Sequence, residues 1–199
     1  MRDVALNVTG VIPRSAANGP GWRAVVWVQG CTVGCPGCFN PQTHQHAQRR
    51  LMDPNRLGED LLKLPGLEGL TISGGEPFEQ AEGCARLARR VRAEGWSVMA
   101  FTGYTLEALR MSSKQPVADF LGEIDLLIAG PYVASLASNV VPWAGSSNKR
   151  LHYLTYRYGA EIEQVVRPDV EGVTDGKTLT WTGFPRGSDR EWMERMPLI

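Results

Sequence analysis

Apolar residues along this chain gather in two rhythms. Arg23–Gln29 (RAVVWVQ) is an unbroken, β-branched run with the length of one buried strand. Leu67–Ile72, Trp96–Phe101 and Ile124–Ile128 read the same way. Between them the period lengthens to that of helices, over Pro54–Leu64, Glu79–Glu94 and the short Leu106–Met111. In the second of these, Cys84, Leu87, Ala88 and Val91 fall at i, i+3, i+4 and i+7, while Arg86, Arg89, Arg90 and Arg92 lie largely off that stripe. Cys84 is therefore expected in the core and the arginines on a solvated face, with Gly95 as the helix stop.

Alternating strands and helices predict an α/β fold with a mostly parallel sheet and right-handed crossovers. Ligands in such sheets gather at the carboxyl ends of the strands. The loops Gly30–Asn40, Ser73–Phe78 and Thr102–Tyr104 all fall there, which predicts one site on one edge. Ala129–Arg150, rich in Gly, Ser, Asn and Pro, reads as a long loop. Weaker strand signals at Glu161–Val166 and Thr178–Thr182 are expected to close the sheet. The chain shows neither an internal repeat nor a low-complexity tract.

At 199 residues the chain fits a single domain, 1–199, with a cluster-type loop at 30–40 and a closing segment at about 160–199. Twenty-one basic residues balance 21 acidic ones, which gives no footprint for nucleic acid or an anionic membrane. No apolar stretch approaches the roughly 20 residues that cross a bilayer. Met1–Gly10 lacks the layout of a signal peptide, so a cytoplasmic location is expected.

The cysteines add chemistry to this picture. Of four, three fall in Cys31-Thr-Val-Gly-Cys35-Pro-Gly-Cys38, too close together to staple distant segments. Three thiolates on one C-x3-C-x2-C loop can converge on three irons of a [4Fe–4S] cluster, and thiolate is the soft ligand that iron–sulfur chemistry uses. Gly34 and Gly37 give the backbone freedom for that wrap, and Pro36 stiffens it. The fourth iron then stays open to a chelating substrate. The alternatives are free thiols or a structural zinc site completed by His44 or His46.

Further strings surround this loop: Asn18-Gly-Pro-Gly-Trp-Arg23, Cys38-Phe39-Asn40-Pro41, Thr71-Ile-Ser-Gly-Gly-Glu-Pro-Phe78, Phe101-Thr-Gly-Tyr104, Asp125-Leu-Leu-Ile-Ala-Gly-Pro-Tyr132, Gly145-Ser-Ser-Asn148 and Thr182-Gly-Phe-Pro185. In this order and spacing the chain resembles the radical S-adenosylmethionine superfamily, and within it the activating proteins of anaerobic ribonucleotide reductases and other glycyl radical enzymes. The resemblance implies a partial (β/α) TIM-like barrel of radical SAM type. It implies two cofactors, a [4Fe–4S] cluster on Cys31, Cys35 and Cys38 and S-adenosyl-L-methionine on its open iron. Reductive cleavage of the latter gives methionine and a 5′-deoxyadenosyl radical, which abstracts hydrogen from a glycine of a large partner glycyl radical enzyme. A flavodoxin or ferredoxin would supply the electron.

Residue by residue, Ser73, Gly74, Gly75, Glu76 and Pro77 would hold the methionine amino group, since glycines admit close approach and Glu76 accepts from an ammonium. The same string also reads as a glycine turn starting a helix, with Pro77 in its first turn. Phe39 would pack beside the cluster or adenine. Thr71, Ser73, Thr102 and Tyr104, at strand ends, would reach ribose or carboxylate. The pattern loosens around Gly145-Ser-Ser-Asn148, where Ala144 and Lys149 stand in place of the family's arginine and glutamine. That departure leaves room for a different peptide or small-metabolite substrate, or for a non-catalytic iron–sulfur redox or scaffold module.

Overall fold

The computed structural model describes residues 4–174 and 176–185. At its centre is a seven-stranded sheet built from β1 (Leu6–Ser15), β2 (Arg23–Val28), β3 (Arg50–Met52), β4 (Gly69–Gly74), β5 (Ser97–Phe101), β6 (Leu126–Ala129) and β7 (Arg150–Tyr153). Its spatial order is β3-β1-β2-β4-β5-β6-β7. The middle four strands run parallel, in register Val25↔Thr71, Thr71↔Met99 and Met99↔Leu126. β1 flanks them antiparallel on one side, with β3 antiparallel to β1 beyond it, and β7 flanks them antiparallel on the other. The sheet is open, because the edge strands β3 and β7 do not pair among the described residues.

The unbroken apolar runs have a simple cause: the parallel strands are covered on both faces. Alternate residues of each strand point to opposite sides. Val26, Ile72, Val98, Ala100 and Leu127 face a core shared with Leu57 and Leu61 of α1 (Pro54–Leu62), Leu87 and Val91 of α2 (Ala81–Arg92), and Phe120. Met99, Phe101, Leu126 and Ile128 face the other way, onto Trp143, Ala144 and Ile162. Cys84 is fully buried on the inner face of α2, as its spacing predicts. The arginines of α2 are solvated but paired, Arg86 with Glu82, Arg90 with Glu94, Arg89 with Glu123, and Arg92 with Glu123 and Asp125. Gly95, at φ 82°, ends that helix in the left-handed conformation.

Two further helices follow, α3 (Leu106–Arg110) and α4 (Gln115–Gly122). α3 is capped by the Thr105 hydroxyl, which accepts from the Ala108 amide. α4, unpredicted because it is short and opens on Pro116, packs Phe120 against Phe78 with ring centroids 4.8 Å apart.

The C-terminal part departs from expectation. Glu161–Val166 is not a strand: Ala160–Gln164 forms a 3-10 turn in which Ile162 alone is buried and Glu161 receives the Gly159 amide. The strand signal at Thr178–Thr182 is real, as β9 (Leu179–Gly183), but it does not close the sheet. Among the described residues β9 pairs only with β8 (Val170–Thr174), antiparallel, in a separate hairpin. β7 has already taken the open edge of β6, and the hairpin is bonded instead to the turn that follows β1, at Ser15–Asn18. Residues 186–199 of the expected closing segment lie outside the described residues.

Arg23, 0% exposed, ties the parallel strands together at depth. Its guanidinium donates to Thr71 Oγ1, to Ser97 Oγ and O, to the Pro20 and Leu70 carbonyls and to Tyr158 Oη. Thr71 in turn donates to the Asn18 carbonyl at 2.8 Å, so it is a buried structural link behind the site.

Candidate active site

The cysteine loop leaves β2 and is pinned at its start by Gly30 N donating to Thr43 O (2.8 Å) and Cys31 N to His44 O (3.0 Å). Glu79 takes the Thr32 amide (2.7 Å) and hydroxyl on one oxygen and His46 Nε2 on the other (2.8 Å). Burial would raise the Glu79 carboxyl; the Thr32 and His46 hydrogen bonds outweigh it and hold the carboxyl below its ordinary range. Further along, Cys38 N donates to Cys35 O (3.1 Å), with Gly34 just before that turn and Gly37 within it, both in the left-handed conformation. Asn40 N reaches Cys38 Sγ at 3.4 Å. Burial raises the Cys31 thiol, against the Gly34 and Val33 amides that hydrogen-bond its sulfur.

The second loop follows β4 and is knitted to the first. Gly75 N donates to Val28 O and Glu76 N to Gly30 O, both at 2.8 Å. A Cβ on Gly75 would lie 2.1 Å from the Gly30 oxygen, so the glycine is there to let two backbones cross. The sequence reads that glycine as serving a ligand; its tightest neighbour is the cysteine loop itself. Glu76 is 1% exposed. Its Oε1 accepts from Phe78 N (3.0 Å) and Thr102 Oγ1 (2.9 Å), and its Oε2 from Gly103 N (2.8 Å). Burial pushes its carboxyl up to about 7, against these three donors.

These loops surround one cavity of about 190 Å³ at the carboxyl ends of the parallel strands, on the sheet face away from the helices. Cys31, Cys35, Cys38, Phe39, Ser73, Gly74, Gly75, Glu76 and Thr102 all line it. Three expected residues do not. Thr71 is buried mid-strand, bonded to Arg23 and Asn18. Pro77 is buried at the start of the 3-10 turn Pro77–Gln80. Tyr104 faces a neighbouring groove with Thr32, Phe78 and Glu79. The two histidines also separate: His44 lines the cavity instead of facing solvent, while His46 is exposed and engaged by Glu79.

Other groups line the cavity to which the sequence gives no role there. Lys149, half-buried, donates from Nζ to the Thr102 carbonyl at 3.3 Å. Tyr132 stacks on Phe39 at 4.9 Å. One wall is β9 and its exit, Trp181–Pro185. Phe184 packs on Phe101 (5.5 Å) and Phe39 (6.2 Å). The hairpin is latched by Glu171, which accepts from the Ser15 hydroxyl and the Ala16 and Ala17 amides. Asn18 Nδ2 adds a bond to Thr182 Oγ1 at 2.7 Å, and Asn139 Nδ2 one to Phe184 O at 2.8 Å.

The donor set suits a [4Fe–4S] cluster. Three half-buried thiols border one cavity, amides already point at two of the sulfurs, and thiolate is the required ligand. A single zinc ion is served less well. Of the two histidines that could complete such a site, His46 is committed to Glu79, which leaves His44 alone in the cavity.

A family model described as "4Fe-4S single cluster domain" matches residues 17–152. The chain belongs to this family. The matched stretch of the 4Fe-4S single cluster domain contains all three loop cysteines and Glu76, and stops before the β8–β9 hairpin. Among curated relatives, the anaerobic ribonucleoside-triphosphate reductase-activating protein of Escherichia coli K12 is 33% identical over 153 residues, 71% of this chain and 95% of the relative. The protein of that name from Haemophilus influenzae is 32% identical over 158 residues, 74% and 97% of the two chains. A solved structure, QueE from Escherichia coli, is a partial likeness, with a TM-score of 0.39 at 19% identity over 51% of this chain and 54% of its own.

Proposed function

We propose that this protein is a radical S-adenosylmethionine activase, which binds a [4Fe–4S] cluster on Cys31, Cys35 and Cys38 and S-adenosylmethionine beside it, and acts on a glycine of a large glycyl radical enzyme. The relatives' name makes an anaerobic ribonucleoside-triphosphate reductase the leading partner. One observation carries the reading. The cysteine loop and the Gly74-Gly75-Glu76 turn are bonded to each other through Gly30 and border one cavity, so a cluster and an amino-acid ligand would meet there.

The cluster, when bound and reduced, supplies the electron that splits the sulfonium C–S bond. The protein's part is placement and exclusion of water. Glu76, held by Phe78, Thr102 and Gly103, fixes the acceptor for an ammonium group. Phe39, Tyr132 and Phe184 offer aromatic surface to an adenine. Ser73 and Thr102 lie at the strand ends beside them. In this reading residues 1–199 form one radical SAM domain, an incomplete (β/α) barrel whose gap lies between β3 and β7, with a flavodoxin or ferredoxin as reductant.

The test is anaerobic. The iron-reconstituted, reduced protein is given S-adenosylmethionine, and methionine and 5′-deoxyadenosine are quantified, with Cys35→Ala as control. Both products from wild type and neither from the variant support the chemistry. A glycine-centred electron paramagnetic resonance signal on an added anaerobic reductase supports the partner. A loaded cluster that never cleaves, with or without that reductase, would leave only a redox or scaffold module. The wall at Trp181–Pro185 lies outside the matched residues and favours one second reading, a different peptide or small metabolite as hydrogen donor.

A further inference from the structure

We propose that Lys149 sets the reduction potential of the cluster held by Cys31, Cys35 and Cys38, by supplying the positive charge of the cavity they share. The inference rests on the cluster reading above and goes beyond it by assigning work to a residue that is not itself a ligand.

Charge is scarce in this cavity. Its lining carries three thiols, the Glu76 carboxyl and the His44 imidazole but, among the described residues, neither an arginine nor any other lysine. Lys149 is placed there by the fold. It is the last residue before β7, whose antiparallel pairing with β6 starts at Ala129↔Arg150 and returns the chain to the carboxyl end of the parallel strands. The backbone of Lys149 is seated against Gly130, where a Cβ would lie 3.6 Å from its Cα. The side chain then reaches across to the Thr102 carbonyl at 3.3 Å, next to the hydroxyl that Thr102 gives to Glu76.

An ammonium has three donors, and among the described residues Nζ makes this one hydrogen bond. Burial lowers the Lys149 pKa, while Glu76, Cys35 and Cys38 pull it back up, so two sulfur ligands and the carboxylate are the charges it feels. Reduction adds one negative charge to a thiolate-ligated cluster. A cation on the wall of the cavity that the three thiols line favours that state, and more strongly in a partly dry cavity than in water.

The test is a potential. Wild type, Lys149→Met, Lys149→Gln and Lys149→Arg are reconstituted anaerobically, their iron and sulfide are quantified, and the cluster is titrated by electron paramagnetic resonance without S-adenosylmethionine. Loss of the charge is expected to weaken the hold on the electron about tenfold, which lowers the midpoint by about 59 mV in the Met and Gln variants. The Arg variant keeps the wild-type value. Gln covers the case in which Met does not load. Midpoints that coincide in all loaded proteins overturn the proposal, as does an Arg variant that falls with the neutral ones, since shape and not charge would then be at work. A wild-type protein that loads no cluster overturns the cluster reading instead.

Discussion

Glu76 makes the stability of the cluster-free protein depend on pH, in a direction opposite to that of most carboxylates. Its carboxyl has an ordinary pKa of 4.5 when exposed and about 7 when folded, because burial disfavours its charge more than three hydrogen bonds restore it. The folded chain therefore binds a proton that the unfolded chain has released. That contribution is whole below the unfolded value, shrinks as pH rises, and is lost above the folded one, a total on the order of 3 kcal/mol. Between about pH 5.5 and about pH 8.5 the loss is roughly 2 kcal/mol. Glu76→Gln removes the titration. It also turns an amide NH2 toward the Phe78 or Gly103 amide, which costs about 1–3 kcal/mol at low pH. Urea unfolding of both proteins, anaerobic and with thiols reduced, is followed across this range. Groups common to both, such as Asp125, cancel in the difference. The stability gap should narrow by roughly 2 kcal/mol toward alkaline pH. A gap that stays constant would refute the reasoning, for it would mean that the three donors keep Glu76 ionised in the fold throughout.

Other expectations test different parts of the molecule. Cys31→Ala, Cys35→Ala and Cys38→Ala should each abolish the brown cluster absorbance after reconstitution, whereas Cys84→Ala, buried on α2, should retain it; equal loss in Cys84→Ala would break the ligand assignment. Arg23→Met leaves the Leu70, Ser97 and Pro20 carbonyls without their donor, at about 1–3 kcal/mol for each group that water cannot reach. Its urea midpoint should fall accordingly, and Arg23→Lys should recover only part, because one ammonium cannot span so many acceptors. Glu171→Ala frees the hairpin from Ser15, Ala16 and Ala17, and hydrogen bonds to a charged group are worth about 1.5–3 kcal/mol. Hydrogen exchange at the Leu179–Gly183 amides should therefore quicken roughly ten- to a hundredfold, with β2 and β4 unchanged.

What the sequence reveals here follows from which physical signals are local. β2, β4, β5 and β6 are legible because burial on both faces writes them as unbroken apolar runs. The stripe on α2 is legible because one face alone meets the core. β1 is not, because its register against β2 slips between Val8 and Gly10 and again between Ile12 and Ser15, which breaks the period of two. Nor can a strand signal name its partner, so β9 reads as a closing strand although among the described residues it pairs only with β8. At the site, the cysteine spacing and the Gly-Gly-Glu-Pro string carried most of the information. Thr102 and Tyr104 looked equivalent at one strand end. The turn after β5 sends the first into the cavity and the second into the adjacent groove. Lys149 stood out as a departure from a pattern, but its reach into the cavity depends on the β6–β7 pairing, which no local signal encodes.

The crossing at Gly75 explains why two short motifs, far apart in sequence, work as one device. The amides of Gly75 and Glu76 donate to the carbonyls of Val28 and Gly30, the residues that lead into Cys31. The turn that presents Glu76 is therefore the extension of the β2–β4 ladder beyond its last paired residues, Val28 and Gly74. Its position relative to the thiols is set by a parallel pairing with a buried core behind it. A side chain at residue 75 would have to push the Gly30 carbonyl aside, and with it the amide bond to Glu76 and the start of the cysteine loop. Two weak strings thus become a strong one when their spacing is read in three dimensions. Each supplies the backbone acceptors or donors that the other needs, and neither could move without carrying its partner along.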